Sequence, residues 1–424
     1  MNNLNDKREI ISGDANEFYR SVSLYLRLNK YDKAIKLLGK ARPSNAYVHY
    51  ALGFSFLRTG KLCEAEKHLS EAIKQQPDIV EAYFYLGETF LRQINLTKAL
   101  KNYNLAIKLE PDFARAHYKR ACLWLLRGHL KRGFKGLKWR FPAGNVPRRD
   151  FIEPKWNGRR LEGKTILVYP EEGYGDTLQF VRYLPMVQAR GGRVIFECQQ
   201  NLIRLIKNCS GIDEIVLRKS VDDSEVRFDY QIDLLGLPNI FKTTMSTIPA
   251  SVPYMQVDKK LINKWRTKVG QVKKFKVGIV WAVEPSREND SFRSCALSDF
   301  GVLSKIPGIA FYSLQKGRAA KQISNTPLKM DLINLSINFR DFADTAAAIE
   351  NLDLVISVDT SVVHLAGALG KPAWTLLPYR CDPRWMLERT DSPWYPTMKL
   401  FRQNDHREWG DVFERVCAEL KMII

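Results

Sequence analysis

The chain lacks a cysteine pattern, a long apolar run and, over one stretch, any negative charge. Its seven cysteines (Cys63, Cys122, Cys198, Cys209, Cys295, Cys381 and Cys417) are odd in number and scattered, and none forms a Cys-x-x-Cys pair. Neither a zinc site nor a disulfide framework is indicated, and a reducing compartment fits best. No apolar run reaches the ~18 residues a membrane helix needs. The longest candidate is broken by Asp353, Asp359 and His364. Residues 1–13 are polar and lack the apolar core of a secretory signal. These absences lead us to expect a cytoplasmic protein, at most peripheral to the inner face of a membrane. Residues 113–149 contain no Asp or Glu, yet hold Arg115, Lys119, Arg120, Arg127, Lys131, Arg132, Lys135, Lys138, Arg140, Arg148 and Arg149. A solvated basic face and a docking surface for phospholipid headgroups or an acidic protein both fit. No nucleic-acid-binding signature accompanies the run, so RNA is disfavoured.

What is present is globular in kind. The 424 residues are 26% charged and 45% apolar with a net charge of +20, enough for two or three domains with real cores. The first third repeats itself. Leu52, Gly53, Phe56, Ala65, Leu69, Ala72 and Pro77 recur as Leu86, Gly87, Phe90, Ala99, Tyr103, Ala106 and Pro111, a step of 34 residues. That is the period and pattern of the tetratricopeptide repeat, a helical hairpin whose small residues let two helices approach and whose proline closes the second. A partial copy precedes it (Ala34, Leu38, Ala41, Pro43) and a degenerate one follows (Ala121, Trp124, Gly128, Gly133). His49 and His117 fall at packing positions. Such arrays grip other proteins and perform no chemistry. We expect the array over residues 1–140 and a Pro/Gly-rich junction over 141–163.

From residue 164 onward strands alternate with helices. Residues 165–169 read as a strand, followed by Gly173, Gly175 and Asp176, an apolar-periodic helix closed by Gly191-Gly192, and a second strand from Arg193. Gly173 and Gly175 match the first spacing of G-x-G-x-x-G, but Leu178 occupies the third position, so a dinucleotide cofactor is disfavoured. The glycines admit a ligand close to the backbone, and Asp176 is either a carboxylate facing the crevice or a helix N-cap. A second set begins at residues 276–281, passes a polar loop with Asn289, Asp290 and Arg293, a helix from about Leu297 and a strand ending in Gln315-Lys316-Gly317. The apolar, β-branched run from Leu352 to Val358 then meets Asp359 and Thr360 at a helix start. Ser361 and His364 lie inside that helix, Gly370 ends it and Pro372 prevents its continuation. A strand feeding a helix N-terminus presents backbone N–H groups and a positive dipole end to one spot, which favours phosphate. Two parallel-sheet lobes with a cleft between them follow: 164–255 and 272–402, with 403–424 a final helix. Trp394 and Tyr395 either line that cleft or pack the core.

Residues 172–176, 277–281, 293–294, 313–317, 358–366 and 391–396 carry a resemblance to bacterial glycosyltransferases related to the heptosyltransferases of glycosyltransferase family nine. With the repeats in front, the chain looks like the repeat-containing members of that group. The resemblance implies an all-α repeat array followed by an α/β GT-B fold. It also implies an inverting, metal-independent transfer from a nucleotide-sugar held by the second lobe; the repeats, which grip polypeptide, favour a protein acceptor. The resemblance makes Asp176 the general base, and assigns Asp359, Thr360, Ser361, His364, Lys316, Gln315 and Arg293 to the donor. Ser361 stands where heptosyltransferases usually have glycine, and Arg293 substitutes for their second-lobe lysine. Both departures leave the donor nucleotide open, a CMP-sugar included. A lipid-linked or lipopolysaccharide acceptor, with residues 115–149 on an anionic membrane, is the first alternative; an inactive repeat scaffold is the second.

Overall fold

The computed structural model describes residues 13–41, 45–171, 173–218, 226–284, 291–325, 330–404 and 408–424. Pro43, Glu172, Asn289 and Asp290 lie outside them. Seven helices come first: α1 (Gly13–Arg27), α2 (Tyr31–Leu38), α3 (Ala46–Arg58), α4 (Leu62–Gln75), α5 (Val80–Arg92), α6 (Leu96–Leu109) and α7 (Ala114–Leu126). The first six pair as hairpins, and the repeated small residues sit at the crossings of α3 with α4 and of α5 with α6. A Cβ on Gly53 would lie 2.6 Å from Leu69 Cγ, and one on Gly87 2.6 Å from the Tyr103 ring. Ala65, Ala99 and Ala106 are fully buried. The packing between hairpins is aromatic, with Tyr85 against both Phe54 and Tyr50.

The chain divides into two compact units. One runs to Leu123 and takes in Trp139–Asn145; the other comprises Trp124–Lys138 and Val146–Ile424. The hairpin expected to close the repeat array is therefore shared. Its second helix, α8 (Leu130–Gly136), packs with the α/β elements: Phe134 meets Phe180 and Trp394 edge-on. Burying such aromatics outweighs continuation of a repeat pattern whose consensus residues have faded.

Within the α/β unit, β1 (Thr165–Tyr169), α9 (Tyr174–Phe180), α10 (Leu184–Gln188), β2 (Arg193–Cys198), α11 (Ile203–Ile206), β3 (Glu214–Leu217), β4 (Tyr230–Asp233) and α12 (Leu237–Ile240) build the first sheet and its cover. Its four strands run in the order β3-β2-β1-β4, all parallel. The connecting helix α13 (Lys259–Val269) is capped by Asp258, which accepts from the Lys260 and Leu261 amides. The second set comprises β5 (Phe275–Val280), β6 (Ile309–Ser313), α14 (Gln322–Asn325), β7 (Leu332–Asn334), α15 (Phe342–Glu350), β8 (Leu354–Val358), α16 (Ser361–Ala368), β9 (Ala373–Leu377), β10 (Met398–Arg402) and α17 (Gly410–Ile423). Its six strands run β10-β9-β8-β5-β6-β7, again all parallel. Every residue of β8 and β9 is buried, as expected where helices cover both faces of a sheet. The helix expected from Leu297 forms as a 3₁₀ turn series, Leu297–Lys305, its entry fixed by Asp299 accepting from the Ala296 amide at 2.8 Å. The final helix closes the core, with Phe413 against Phe300.

Candidate functional site

The carboxyl end of β8 delivers Asp359 and Thr360 to the start of α16. Thr360 is the cap: its Oγ1 accepts from Val362 N at 3.2 Å and meets Ser357 Oγ at 3.1 Å. Asp359, which is 3% exposed, is therefore not needed as the cap. Arg293 Nη1 stands 3.6 Å from its Oδ2 and 3.4 Å from its carbonyl oxygen. His364, one turn further along α16, brings Nε2 to 4.0 Å from Asp359 Oδ1, while its Nδ1 lies 2.9 Å from Tyr395 Oη. The Trp385 ring stacks on the imidazole at a centroid distance of 5.3 Å.

The glycine loop of the first sheet meets this group directly. A Cβ on Gly175 would lie 2.9 Å from His364 Cδ2, so glycine is what lets α9 close on α16. A Cβ on Gly173 would lie 2.9 Å from Asp176 Oδ2, so the second glycine clears room for that carboxylate. Asp176 does not cap α9; Gly173 occupies the cap position without a side-chain bond. Asp176 Oδ1 accepts instead from Arg384 Nη2 at 2.7 Å. Arg384 sits in a short turn beyond β9 that Asp382 initiates. Its Nε donates to Asp382 Oδ1 at 2.8 Å, its Nη1 donates to Gln179 Oε1 at 2.8 Å, and Nη1 lies 3.4 Å from His364 Nε2.

Burial and this cluster of charge set the titration of Asp359, His364 and Asp382. Burial raises the Asp359 carboxyl, and neighbouring Asp382 adds to it, against the pull of Arg384 and Arg293. Burial, then the cations Arg384, Arg182 and Arg293, holds His364 well below the usual histidine range. Burial would also raise Asp382, but its ion pair and hydrogen bonds with Arg384 leave it below the ordinary value. His364 is therefore a neutral imidazole at neutral pH. The unfolded chain, with its ordinary histidine, takes up the proton first as pH falls through about 6.5, so stability is full above that value and falls below it. We expect the α/β unit to lose up to about 1.4 kcal/mol per pH unit there. Urea denaturation of wild type and His364→Gln in that acid range checks this, with the variant showing the flatter slope. Equal slopes would mean that His364 accepts its proton without unfolding.

The tetratricopeptide repeat family profile matches residues 50–112. The chain carries tetratricopeptide repeats. Over 332 residues it is 25% identical to Protein FlbA of Caulobacter vibrioides, covering 72% of this chain and 54% of that protein. The chain thus spans about half the length of that relative. It is also similar to the glycosyl transferase family 9 structure from Veillonella parvula DSM 2008, with a TM-score of 0.48 and 11% identity over 63% of this chain and 92% of the other. A further similarity is to E. coli ADP-heptose lps heptosyltransferase II, with a TM-score of 0.47 and 14% identity over 61% and 98%.

Asp176, Gly173, Gly175, Asp359, Thr360, His364 and Arg293 come together as a group, with Ser361 opening α16. Gln315 and Lys316 do not join through their side chains. The Gln315 amide is filled by backbone, accepting from Trp281 N and Ala282 N and donating to the Ala282 and Lys316 carbonyls. With both donors and both acceptor sites used, it braces the loop. Lys316 Nζ donates to the Phe339 carbonyl at 2.8 Å. Trp394 and Tyr395 are packed, at 1% and 0% exposure, and only the Tyr395 hydroxyl serves the cluster. Arg384 is a member that sequence reasoning missed, with its partners Asp382 and Gln179 and with Trp385; its signal was a cation in the loop between two parallel strands. The basic window is partly absorbed into tertiary contacts. Arg115 lies over Phe84, Tyr85 and Phe113, Lys119 pairs with Glu88, and Arg149 pairs with Glu197. Arg127, Lys131, Arg132 and Lys135 remain exposed. Among the described residues no helix is long and apolar enough to cross a membrane.

Proposed function

We propose that the α/β unit transfers a glycosyl group, with inversion and without a metal, from a nucleotide-sugar to a hydroxyl of a protein that the tetratricopeptide array recognises. The observation that carries this is the meeting of Asp176, on the first sheet's glycine loop, with Asp359, His364 and Arg384 of the second. Displacement at an anomeric carbon needs a base for the incoming hydroxyl and positive charge for the phosphate that leaves. Asp176 supplies the first. Arg293 and the start of α16 supply the second, and Lys316 can add to it by releasing Phe339. Thr360 and Ser361 border the phosphates, Asp359 and His364 the sugar. In domain terms we read residues 164–255 as the acceptor lobe, 272–402 as the donor lobe and 403–424 as the closing helix.

Calorimetry of the whole chain against UDP-, GDP-, ADP-, dTDP- and CMP-sugars tests the reading. One nucleotide class should bind, and Asp359→Ala should lose it. No binding to any of them would favour the inactive scaffold. The exposed Arg127, Lys131, Arg132 and Lys135 favour a second reading, a glycolipid acceptor at an anionic surface. Salt-sensitive binding of the same protein to acidic vesicles would decide for it, and no binding against it.

A further inference from the structure

Arg384 holds the base of the proposed reaction, and this contact has the form of an exchangeable one. Among the described residues three oxygen acceptors grip the guanidinium, and His364 Nε2 stands a longer 3.4 Å from its Nη1. Asp382 is intrinsic to the turn, since its Oδ1 accepts from both Arg384 N at 3.0 Å and Nε at 2.8 Å. The other two, Gln179 Oε1 and Asp176 Oδ1, come from α9, on the first sheet's side of the cleft. The side chains of Arg384 and Asp176 are 18% and 25% exposed, so a ligand entering the cleft reaches both. A carboxylate oxygen committed to a guanidinium competes poorly for a hydroxyl proton, and the guanidinium cannot be discharged. Arg384 occupies Asp176 Oδ1, so an acceptor hydroxyl that meets the carboxylate at that oxygen needs Asp176 released from it. The group best suited to release it is a phosphate, whose oxygens match the fork and carry more charge than one carboxylate.

We propose that Arg384 is a catalytic residue that exchanges partners. Without donor it holds Asp176; with donor its Nη2 edge passes to the departing phosphate and Asp176 turns to the acceptor. This rests on the glycosyl-transfer reading above. In the step itself the acceptor O–H gives its proton to Asp176 and its oxygen bonds the anomeric carbon. The bond from that carbon to the phosphate oxygen breaks, its electron pair leaving with the phosphate beside Arg384. Arg293, engaged with Asp359, keeps its place throughout. The arrangement makes acceptor activation conditional on donor occupancy, which protects the site from acting on an acceptor alone.

Competition for one guanidinium has a readout independent of turnover. If Asp176 and phosphate compete for Arg384, removing the Asp176 charge tightens anion binding, and only when Arg384 is present. Calorimetry with inorganic pyrophosphate and with UDP, GDP, ADP, dTDP and CMP should show Asp176→Asn binding one of them about tenfold more tightly than wild type. In an Arg384→Gln background the same change should bring little gain. Melting curves establish that each variant folds, and Arg384→Lys replaces Arg384→Gln if the latter does not. A gain from Asp176→Asn that is equal in both backgrounds, or absent in wild type that does bind a nucleotide, overturns the exchange while leaving the donor reading intact. Failure of every probe to bind any variant removes the donor reading and the exchange with it.

Discussion

Asp176→Asn is expected to cut nucleotide release from the donor identified by calorimetry about 10²- to 10⁴-fold, the usual contribution of a positioned base. The substitution is close to isosteric, and an amide oxygen still accepts from Arg384 Nη2, so the contact between α9 and the Arg384 turn survives. Nucleotide affinity should rise about tenfold, as the partner exchange requires, which separates loss of chemistry from loss of folding. The rival base is His364. Its geometry argues against that role: Nδ1 is engaged with the Tyr395 hydroxyl, Nε2 faces Arg384, and the ring is 3% exposed. An Asp176→Asn protein that turns over within a few-fold of wild type would transfer the role to His364.

Arg182→Ala should be the most damaging single change to stability, at about 3 kcal/mol or more. The side chain is buried at 5% exposure, and among the described residues it has no carboxylate partner. Its Nε donates to Gln179 O at 2.8 Å, Nη1 to Trp394 O at 2.6 Å and Pro249 O at 3.3 Å, and Nη2 to Tyr254 Oη at 2.8 Å. The guanidinium also stacks over Tyr254 and Tyr395. One planar fork thus joins the helix after the glycine loop, the connector and the segment beneath α16. Alanine leaves buried carbonyls without donors and a cavity among aromatic rings. Lysine would not rescue it, because a point charge cannot serve four divergent acceptors. Urea denaturation checks this, the loss falling in the transition of the α/β unit. An unchanged midpoint would mean that water reaches those carbonyls in the folded protein.

Local order was readable wherever one short window contained the whole cause. The 34-residue step placed the repeats because each hairpin buries its own small residues, as Gly53 against Leu69 and Gly87 against Tyr103 show. The run from β8 through α16 was legible for the same reason. A continuous apolar strand, Thr360 as cap and Gly370 at φ +72° are all decided within twenty residues. Glycines at 173 and 175 signalled a close approach, although not to what.

Tertiary structure alone decided which side chains meet. Arg384 bonds Asp176 across 208 residues of sequence, and Tyr395 reaches His364 across 31; no periodicity encodes either distance. It also turned Gln315 onto the backbone and Lys316 onto Phe339, because orphaned amide and carbonyl groups at strand ends must be paired when buried. The same packing drew α8 to Phe180 and Trp394. Sequence by itself determined the elements and the two parallel sheets, since propensity and periodicity act within a strand or a helix. Only the closing of α9 on α16 set the cluster's geometry, because an ion pair depends on where two distant backbones come to rest.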